Sequence, residues 1–179
     1  MAEFLWIFWS FSLLGWVLER LFAAVTRSPR RRRRCLLLLP LCPVYGLGMA
    51  AVLALPPSLR SGWPLYIWGC LTATAVEYIY HWWGETFLGV SFWDYTGVFG
   101  NFRGRVCLPF SLAWGLLLFP AVYLVTPPVV ALADRVPIGV TWWLLLAFTA
   151  DAVCSLRFLA VTHDLEALRA VIWPVSADR

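Results

Sequence analysis

Acidic side chains inside apolar stretches are the first candidates for chemistry in this 179-residue chain. Glu19, Glu77 and Asp151 each lie within a run of apolar residues long enough to cross a membrane. A charge in such a run is costly, and by default it marks a functional site. Carboxylates that share a site of this kind bind cations or protons, or act as general acid and base.

The spacing of the neighbouring polar residues predicts the helix face on which each carboxylate lies. Glu19 ends a polar stripe that begins at Ser12, and Asp151 begins one that ends at Ser155. A longer stripe follows the i, i+3, i+4, i+7, i+11 positions of a third helix: Thr74, Glu77, Tyr78, His81 and Glu85. Lipid cannot satisfy such groups, so we expect the stripes to face the interior of a helix bundle.

The composition indicates that these helices lie in a membrane. The chain is 61% hydrophobic, 17% aromatic and only 13% charged, whereas a soluble domain is roughly 25% charged. A chain of this length cannot bury so much apolar surface in its own core, so lipid must cover most of it. All 14 basic residues are arginines. The absence of lysine excludes Schiff-base and P-loop chemistry.

Five stretches are long enough to cross a bilayer core, which needs about 20 apolar residues per helix. The predicted fold is therefore an all-α, polytopic transmembrane helix bundle of about five helices in a single domain. Prolines and glycines between Pro40 and Gly48 leave open whether the second span crosses fully or forms a broken, re-entrant segment. The predicted spans are Phe4–Val25, Leu36–Leu55, Trp63–Trp83, Val106–Thr126 and Ile138–Val161.

The arginines predict the orientation of the bundle. With the amino terminus outside, twelve of the fourteen arginines lie on the cytoplasmic side, and only Arg60 and Arg135 lie outside. The carboxyl terminus is then inside, in a multi-pass protein of the bacterial inner membrane. The run Arg30–Arg34 lies between two spans, so we interpret it as a topology signal that contacts anionic lipid, and not as a nucleic-acid site.

This orientation brings the three carboxylates to one depth. Each lies roughly 13 to 15 residues from the outer end of its span, which is about 20 Å into a core of about 30 Å. Together with nearby polar groups they predict an internal acidic and aromatic pocket near the cytoplasmic leaflet. The other candidate pocket residues are Tyr45, Tyr78, His81, Trp93, Asp94, Tyr95, Asn101 and Arg105.

The carboxylates allow two interpretations. If a metal is bound, a divalent cation with Glu19, Glu77 and Asp94 as its ligands is the candidate; no other cofactor is predicted. In the plainer interpretation, Glu19 or Asp151 forms an ion pair with Arg105 or Arg157 and joins helices.

Several short strings, taken together and in order, resemble the family of small bacterial membrane proteins described as Putative ABC-transporter type IV. The resemblance covers roughly residues 10 to 120 and does not clearly include the last helix. It implies a polytopic membrane protein. The chain contains no Walker A motif, so any ATPase would be a separate chain. The strings are Gly15-Trp16-Val17-Leu18-Glu19, Leu41-Cys42-Pro43-Val44-Tyr45-Gly46, Glu77-Tyr78, Trp93-Asp94-Tyr95, Asn101, Gly104-Arg105-Val106-Cys107-Leu108 and Trp114-Gly115.

Three functions fit these features. The preferred one is a permease or transporter component for a cation or small molecule, whose second span is the broken helix common at transport sites. Such a small bundle is expected to form a homo-oligomer or to bind a partner membrane or ATPase subunit. The second function is a membrane-embedded enzyme that acts on a lipid or phosphorylated lipid, with Arg105 on the phosphate. The third is a structural or accessory subunit. The chain shows no known catalytic signature, which argues against the enzyme.

Overall fold

The computed structural model describes residues 1–26 and 35–170. The predicted lipid contact at Arg30–Arg34 therefore lies outside the described residues. The described chain is mostly helical, in agreement with the predicted all-α class, and one short antiparallel hairpin pairs Asn101 with Cys107. The helices are α1 Ala2–Thr26, α2 Pro43–Leu53, α3 Gly62–Trp83, α4 Leu108–Pro120, α5 Thr126–Ala133, α6 Ile138–Thr162 and α7 Leu165–Ala170; the strands are β1 Asn101–Phe102 and β2 Val106–Cys107.

Three helical stretches among the described residues are long and apolar enough to cross a membrane: Ala2–Val25, Leu108–Ala133 and Ile138–Thr162. The predicted third span is also a helix, α3, but it is less apolar because it carries the polar stripe around Glu77. Many side chains of the long helices are exposed on the outside of the bundle, including Leu116, Leu124, Trp143 and Leu146. An apolar outer surface of this kind is stable only when lipid covers it.

The second predicted span is not one continuous helix. Residues 36–40 are non-helical, and α2 begins only at Pro43 and ends at Leu53. Proline lacks a backbone N–H, so Pro40 cannot continue a helix whereas Pro43 can occupy the first turn of one. The sequence left open whether residues 36–55 form a full helical crossing or a broken segment, and the structure contains the broken segment.

The fourth span is longer than predicted. Residues 106–107 belong to β2, and the helix that follows runs from Leu108 to Ala133. A wide π-helical turn over Ala121–Val125 joins α4 to α5 and places Pro127 and Pro128 in the first turn of α5. Prolines are tolerated there because the first N–H groups of a helix need no partner within it. The proline pair therefore lies within the helix and does not end it.

Contacts between distant residues show that successive helices run in opposite directions. At one end the indole of Trp6 donates to Thr141 Oγ1 (3.1 Å), and α1 packs on α5. At the other end Tyr45 donates to Glu19, and the Leu88 carbonyl lies 2.6 Å from His163 Nδ1. We call the end with Glu19 and His163 the loop end, because the long connection 84–107 lies there. We call the opposite end, with Trp6 and Thr141, the turn end.

Helices α1 and α2 cross at close range because glycines lie at the crossing. A Cβ on Gly15 would lie 2.3 Å from the Tyr45 ring, and one on Gly46 would lie 2.4 Å from the Phe8 carbonyl oxygen. The backbone of Cys42 also donates to the Ser12 carbonyl (2.9 Å), so the start of α2 is tied to the middle of α1. This close crossing brings Tyr45 to the level of Glu19.

Candidate binding site

Glu77 lies at the centre of the bundle and is held from two directions. The Tyr95 hydroxyl donates to one carboxylate oxygen (3.2 Å), and the Trp114 indole N–H donates to the other (3.0 Å). The side chain of Glu77 is only 2% exposed. A buried carboxylate is costly unless donors satisfy it, and here one donor comes from the loop 84–107 and the other from α4.

A second carboxylate joins Glu77 through aromatic rings. The Tyr45 hydroxyl donates to Glu19, which is also buried, and the Tyr45 ring meets the Trp114 ring edge-on with 5.4 Å between centroids. Trp114 in turn donates to Glu77. The structure thus brings together four predicted site residues, Glu19, Tyr45, Glu77 and Tyr95, with Trp114, which was not predicted as a site residue. We call these five residues the acidic–aromatic cluster.

A cavity of about 280 Å³ lies beside the acidic–aromatic cluster. Its walls come from α1, α2, α3 and the α4–α5 helix, and its polar lining side chains are Tyr45, Glu77 and Trp114. The rest of the wall is apolar: Phe11, Leu14, Gly15, Leu18, Val44, Gly48, Met49, Ala73, Leu117, Leu118, Pro120, Ala121 and Val125. Apolar cavities with a few convergent polar groups are the usual form of small-molecule sites.

Arg105 belongs to a separate network at the loop end. Its guanidinium donates to Glu85 (2.7 Å) and to the Tyr78 hydroxyl (2.8 Å). Burial acts to lower the pKa of Arg105, but the hydrogen bond and charge of Glu85, with the Tyr78 hydroxyl, outweigh it and raise that pKa above its usual value. His81 Nε2 lies 3.1 Å from Glu85. We call Tyr78, His81, Glu85 and Arg105 the Arg105 network.

The remaining loop candidates shape the backbone of the connection. Asp94 is exposed and accepts from the Thr96 N–H (2.8 Å), while Asn101 bridges the Val98 carbonyl and the Gly104 N–H. Trp93 donates its indole N–H to the Arg105 carbonyl (2.7 Å). These contacts hold the hairpin closed and place Tyr95 against Glu77.

Asp151 has different hydrogen-bond partners from the other two carboxylates. Its oxygens accept from the backbone N–H groups of Leu38 (3.1 Å) and Leu39 (2.8 Å), and from the Ser155 hydroxyl (2.9 Å). Asp151 therefore accepts hydrogen bonds from backbone N–H groups of the non-helical segment before α2, which have no helical partner. The depth argument predicted that Asp151 shares a pocket with Glu19 and Glu77. Its observed contacts are instead with the backbone of residues 38 and 39, and it does not line the cavity.

The cluster contains no metal-ligand set in the described ranges. No group of three or more His, Cys, Asp and Glu side chains comes together among residues 1–26 and 35–170. Glu19 and Glu77 are linked through Tyr45 and Trp114, whereas Asp94 lies in the exposed loop. We therefore assign no metal site to the candidate ligands Glu19, Glu77 and Asp94.

The sequence analysis did not predict two residues of the acidic–aromatic cluster and the Arg105 network as site residues. Trp114 lies in an apolar helix and is one of twelve tryptophans in the chain. Nothing in its local sequence distinguishes it from tryptophans that only pack. Glu85 lies on the predicted polar stripe but two residues beyond the expected end of the third span at Trp83, so it was not counted as a pocket residue. The available signal was the stripe itself, whose period continues to Glu85.

The apolar outer surface and the buried acidic centre define an α-helical membrane protein with an internal cavity. The chain belongs to the family described as Putative ABC-transporter type IV, which it matches over residues 6–156. The match confirms the resemblance and extends it into α6, so that it includes Asp151. Comparisons with curated proteins and with solved structures returned no match.

Proposed function

We propose that this chain is the membrane-embedded permease component of a transport system and that it binds a small molecule in the cavity beside Glu77. The observation that carries the proposal is the cavity itself, which lies between four helical walls and ends at a buried carboxylate held by Tyr95 and Trp114. Membership of a family named for ABC transporters supports the same function.

The broken second span supports a transport role. Transport sites are often built beside interrupted helices, because unwound backbone can move and can offer its polar groups. Here the non-helical residues 36–40 precede α2, and α2 contributes Tyr45 and Met49 to the cavity. A change in this segment would therefore be transmitted directly to one wall of the cavity.

We propose the orientation that the arginines predict, with the amino terminus outside and the loop end in the cytoplasm of a bacterial inner membrane. The acidic–aromatic cluster then lies toward the cytoplasmic leaflet. Because the chain contains no Walker A motif, we propose that a separate ATPase supplies the energy. The ATPase would dock at the loop end, which this orientation places in the cytoplasm.

The contacts of Arg105 and Asp94 support a lipid-modifying enzyme less well. Arg105 donates its Nε–H to Glu85 and an Nη1–H to Tyr78, so its charge is already paired with a carboxylate of the protein. Asp94 is exposed and accepts a hydrogen bond within its own loop, whereas Glu77 is buried. An acid and base pair next to a phosphate site is therefore not assembled by these residues.

Transport can be tested with the ligand that remains bound during purification. The ligand is identified by native mass spectrometry of the detergent-solubilised protein, and exchange of its labelled form is then measured in sealed proteoliposomes. We expect the wild type to exchange it and Glu77→Gln to lose most of the exchange. Asp134→Asn, an exposed carboxylate at the turn end, is the matched control and should exchange normally. Exchange no faster than in protein-free liposomes would refute the transport function.

A further inference from the structure

We infer that the cavity opens sideways into the bilayer between α1 and α4, and that it takes one acyl chain of a membrane lipid. The inference rests on the proposed function and names the class of ligand for that same site. Four observations carry it: the position of the mouth, the chemistry of the wall, the shape of the space and the room beside Gly48.

The mouth is defined by residues that both line the cavity and face the outside of the bundle. Leu14 is 45% exposed and Leu18 37% on α1, and Leu117 is 44% exposed on α4. On either side of this opening the helices are held together. Phe22 of α1 meets Phe110 of α4 edge-on at the loop end (5.8 Å), and α1 packs on α5 toward the turn end. The opening between these two contacts faces lipid.

The wall favours hydrocarbon over a polar ligand. Each of the three polar side chains of the lining is already hydrogen-bonded within the protein: Tyr45 donates to Glu19, Trp114 donates to Glu77, and Glu77 also accepts from Tyr95. A sugar or a hydrated ion would lose its water against the leucines and phenylalanine of the remaining wall without gaining hydrogen bonds in return. A methylene chain has no hydration to lose when it leaves lipid for this surface.

The space is elongated along the α4–α5 helix. On the α4–α5 side the lining extends from Trp114 to Val125, which is about 16 Å along a helix at 1.5 Å per residue. A volume of about 280 Å³ lies at the lower limit of pockets that hold drug-sized ligands, which begin near 300 Å³. Such a space accommodates one chain and not the two chains of a whole lipid, so the second chain would stay in the bilayer.

A larger side chain at Gly48 would fill part of the cavity without a clash with the surrounding residues. A Cβ at Gly48 would meet no atom within 4 Å, and Gly48 lines the cavity. Gly139 on α6 is a matched control, because it is also helical and also has open space beside it, but it lies outside the cavity. Leucine at either position replaces a poor helix former with a good one.

The test is photolabelling of the full chain in liposomes that contain a phosphatidylcholine with a diazirine on one acyl chain, followed by mass-spectrometric mapping of the label. We expect label on the cavity wall of the wild type, at peptides that carry Met49 and Leu118. Gly48→Leu should reduce that label several-fold, and Gly139→Leu should leave it unchanged. Unlabelled phosphatidylcholine in excess should compete with the probe in the wild type, which gives a readout that does not depend on any variant.

Two results would overturn the inference: no label on the cavity wall, or wall label that neither Gly48→Leu nor the competitor reduces. Label from a diazirine-bearing hexadecanol but not from the phosphatidylcholine would also overturn it, because the ligand would then be a free single-chain amphiphile. These outcomes are separate from the exchange assay. Wall label without exchange refutes transport and leaves the lipid site, whereas exchange of a polar ligand without wall label refutes the lipid site alone.

Discussion

The carboxylate of Asp151 in α6 accepts a 2.8 Å hydrogen bond from the backbone N–H of Leu39, 112 positions earlier in the chain. The other oxygen of Asp151 accepts from Leu38 in the same non-helical segment. Backbone groups outside a helix have no water to bind within a membrane, so they need partners from the protein. A charge inside an apolar helix is thereby explained by the backbone that it satisfies.

This relationship predicts a large effect of removing the carboxylate. Asp151→Ala leaves two N–H groups without their acceptor, and hydrogen bonds to charged groups contribute about 1.5–3 kcal/mol each. We expect a loss of about 2–4 kcal/mol in stability, seen as a fall of roughly 5–15 °C in Tm in detergent. Asp151→Asn keeps one oxygen as an acceptor and should cost less. If Asp151→Ala melts together with an Asp134→Ala control, the carboxylate does not support the segment.

The bond between Tyr45 and Glu19 predicts energetic coupling between α1 and α2. Tyr45→Phe removes the hydroxyl and keeps the ring against Trp114, so it should cost about 1.5–3 kcal/mol. In a Glu19→Gln background the same change should cost less, and the double-mutant cycle of the four proteins gives the coupling energy. Equal costs in both backgrounds would show that the hydroxyl does not act on Glu19.

Two glycines on neighbouring helices should respond in opposite directions to alanine. A Cβ on Gly15 would lie 2.3 Å from the Tyr45 ring, whereas one on Gly48 would meet nothing within 4 Å. Gly15→Ala should therefore destabilise the protein by about 1–3 kcal/mol, as overpacking does. Gly48→Ala should be neutral or stabilise it by up to about 1 kcal/mol, the difference in helix propensity. Thermal unfolding of the pair checks this, and equal shifts would contradict the close crossing.

The Arg105 network predicts how the hairpin is kept closed. Arg105→Gln removes the charged donors to Glu85 and Tyr78, so the hairpin should open more often. Cys107, 1% exposed in β2, should then react with maleimide several-fold faster, as measured by mass spectrometry at that residue. Arg103→Gln, which changes an exposed arginine of the same hairpin, is the control. Unchanged labelling of Cys107 would show that Arg105 does not hold the hairpin.

The raised pKa of Arg105 predicts that this closure does not depend on pH in the alkaline range. A cation whose pKa is raised by folding stabilises the folded state at every pH below its ordinary pKa, and the stabilisation is lost only as the pH rises through the raised value. For arginine that range lies far above the pH at which proteins are ordinarily studied. Cys107 labelling, corrected for thiolate formation, should therefore stay slow up to pH 10.

The orientation is tested by reporter fusions. If the carboxyl terminus lies in the cytoplasm, as we propose, a green fluorescent protein fused there should fluoresce and alkaline phosphatase at the same place should be inactive. Phosphatase fused after Asp134, between α5 and α6, should be active. The reverse pattern would place the arginine-rich side outside and refute the proposed topology.

Much of the fold was predictable because hydropathy is a local property. The helices α1, α3 and α6 agree with the predicted spans within a few residues, because each consists of one continuous apolar stretch of sequence. The burial of Glu19 and Glu77 was also predictable, because a charge in an apolar helix has few other places to lie. The helix through Pro127 and Pro128 was not, because a π-helical turn upstream changes which N–H groups need partners.

The sequence by itself determined that this is a membrane protein, where α1, α3 and α6 lie, and that Glu19 and Glu77 are buried. Only the tertiary structure decided what each carboxylate does. Glu77 meets Trp114, Glu19 meets Tyr45, and Asp151 meets the backbone of Leu39 instead of another acid. The physical reason is that depth along a helix follows from residue counting, whereas a hydrogen bond between residues far apart in sequence depends on the rotation and crossing of packed helices.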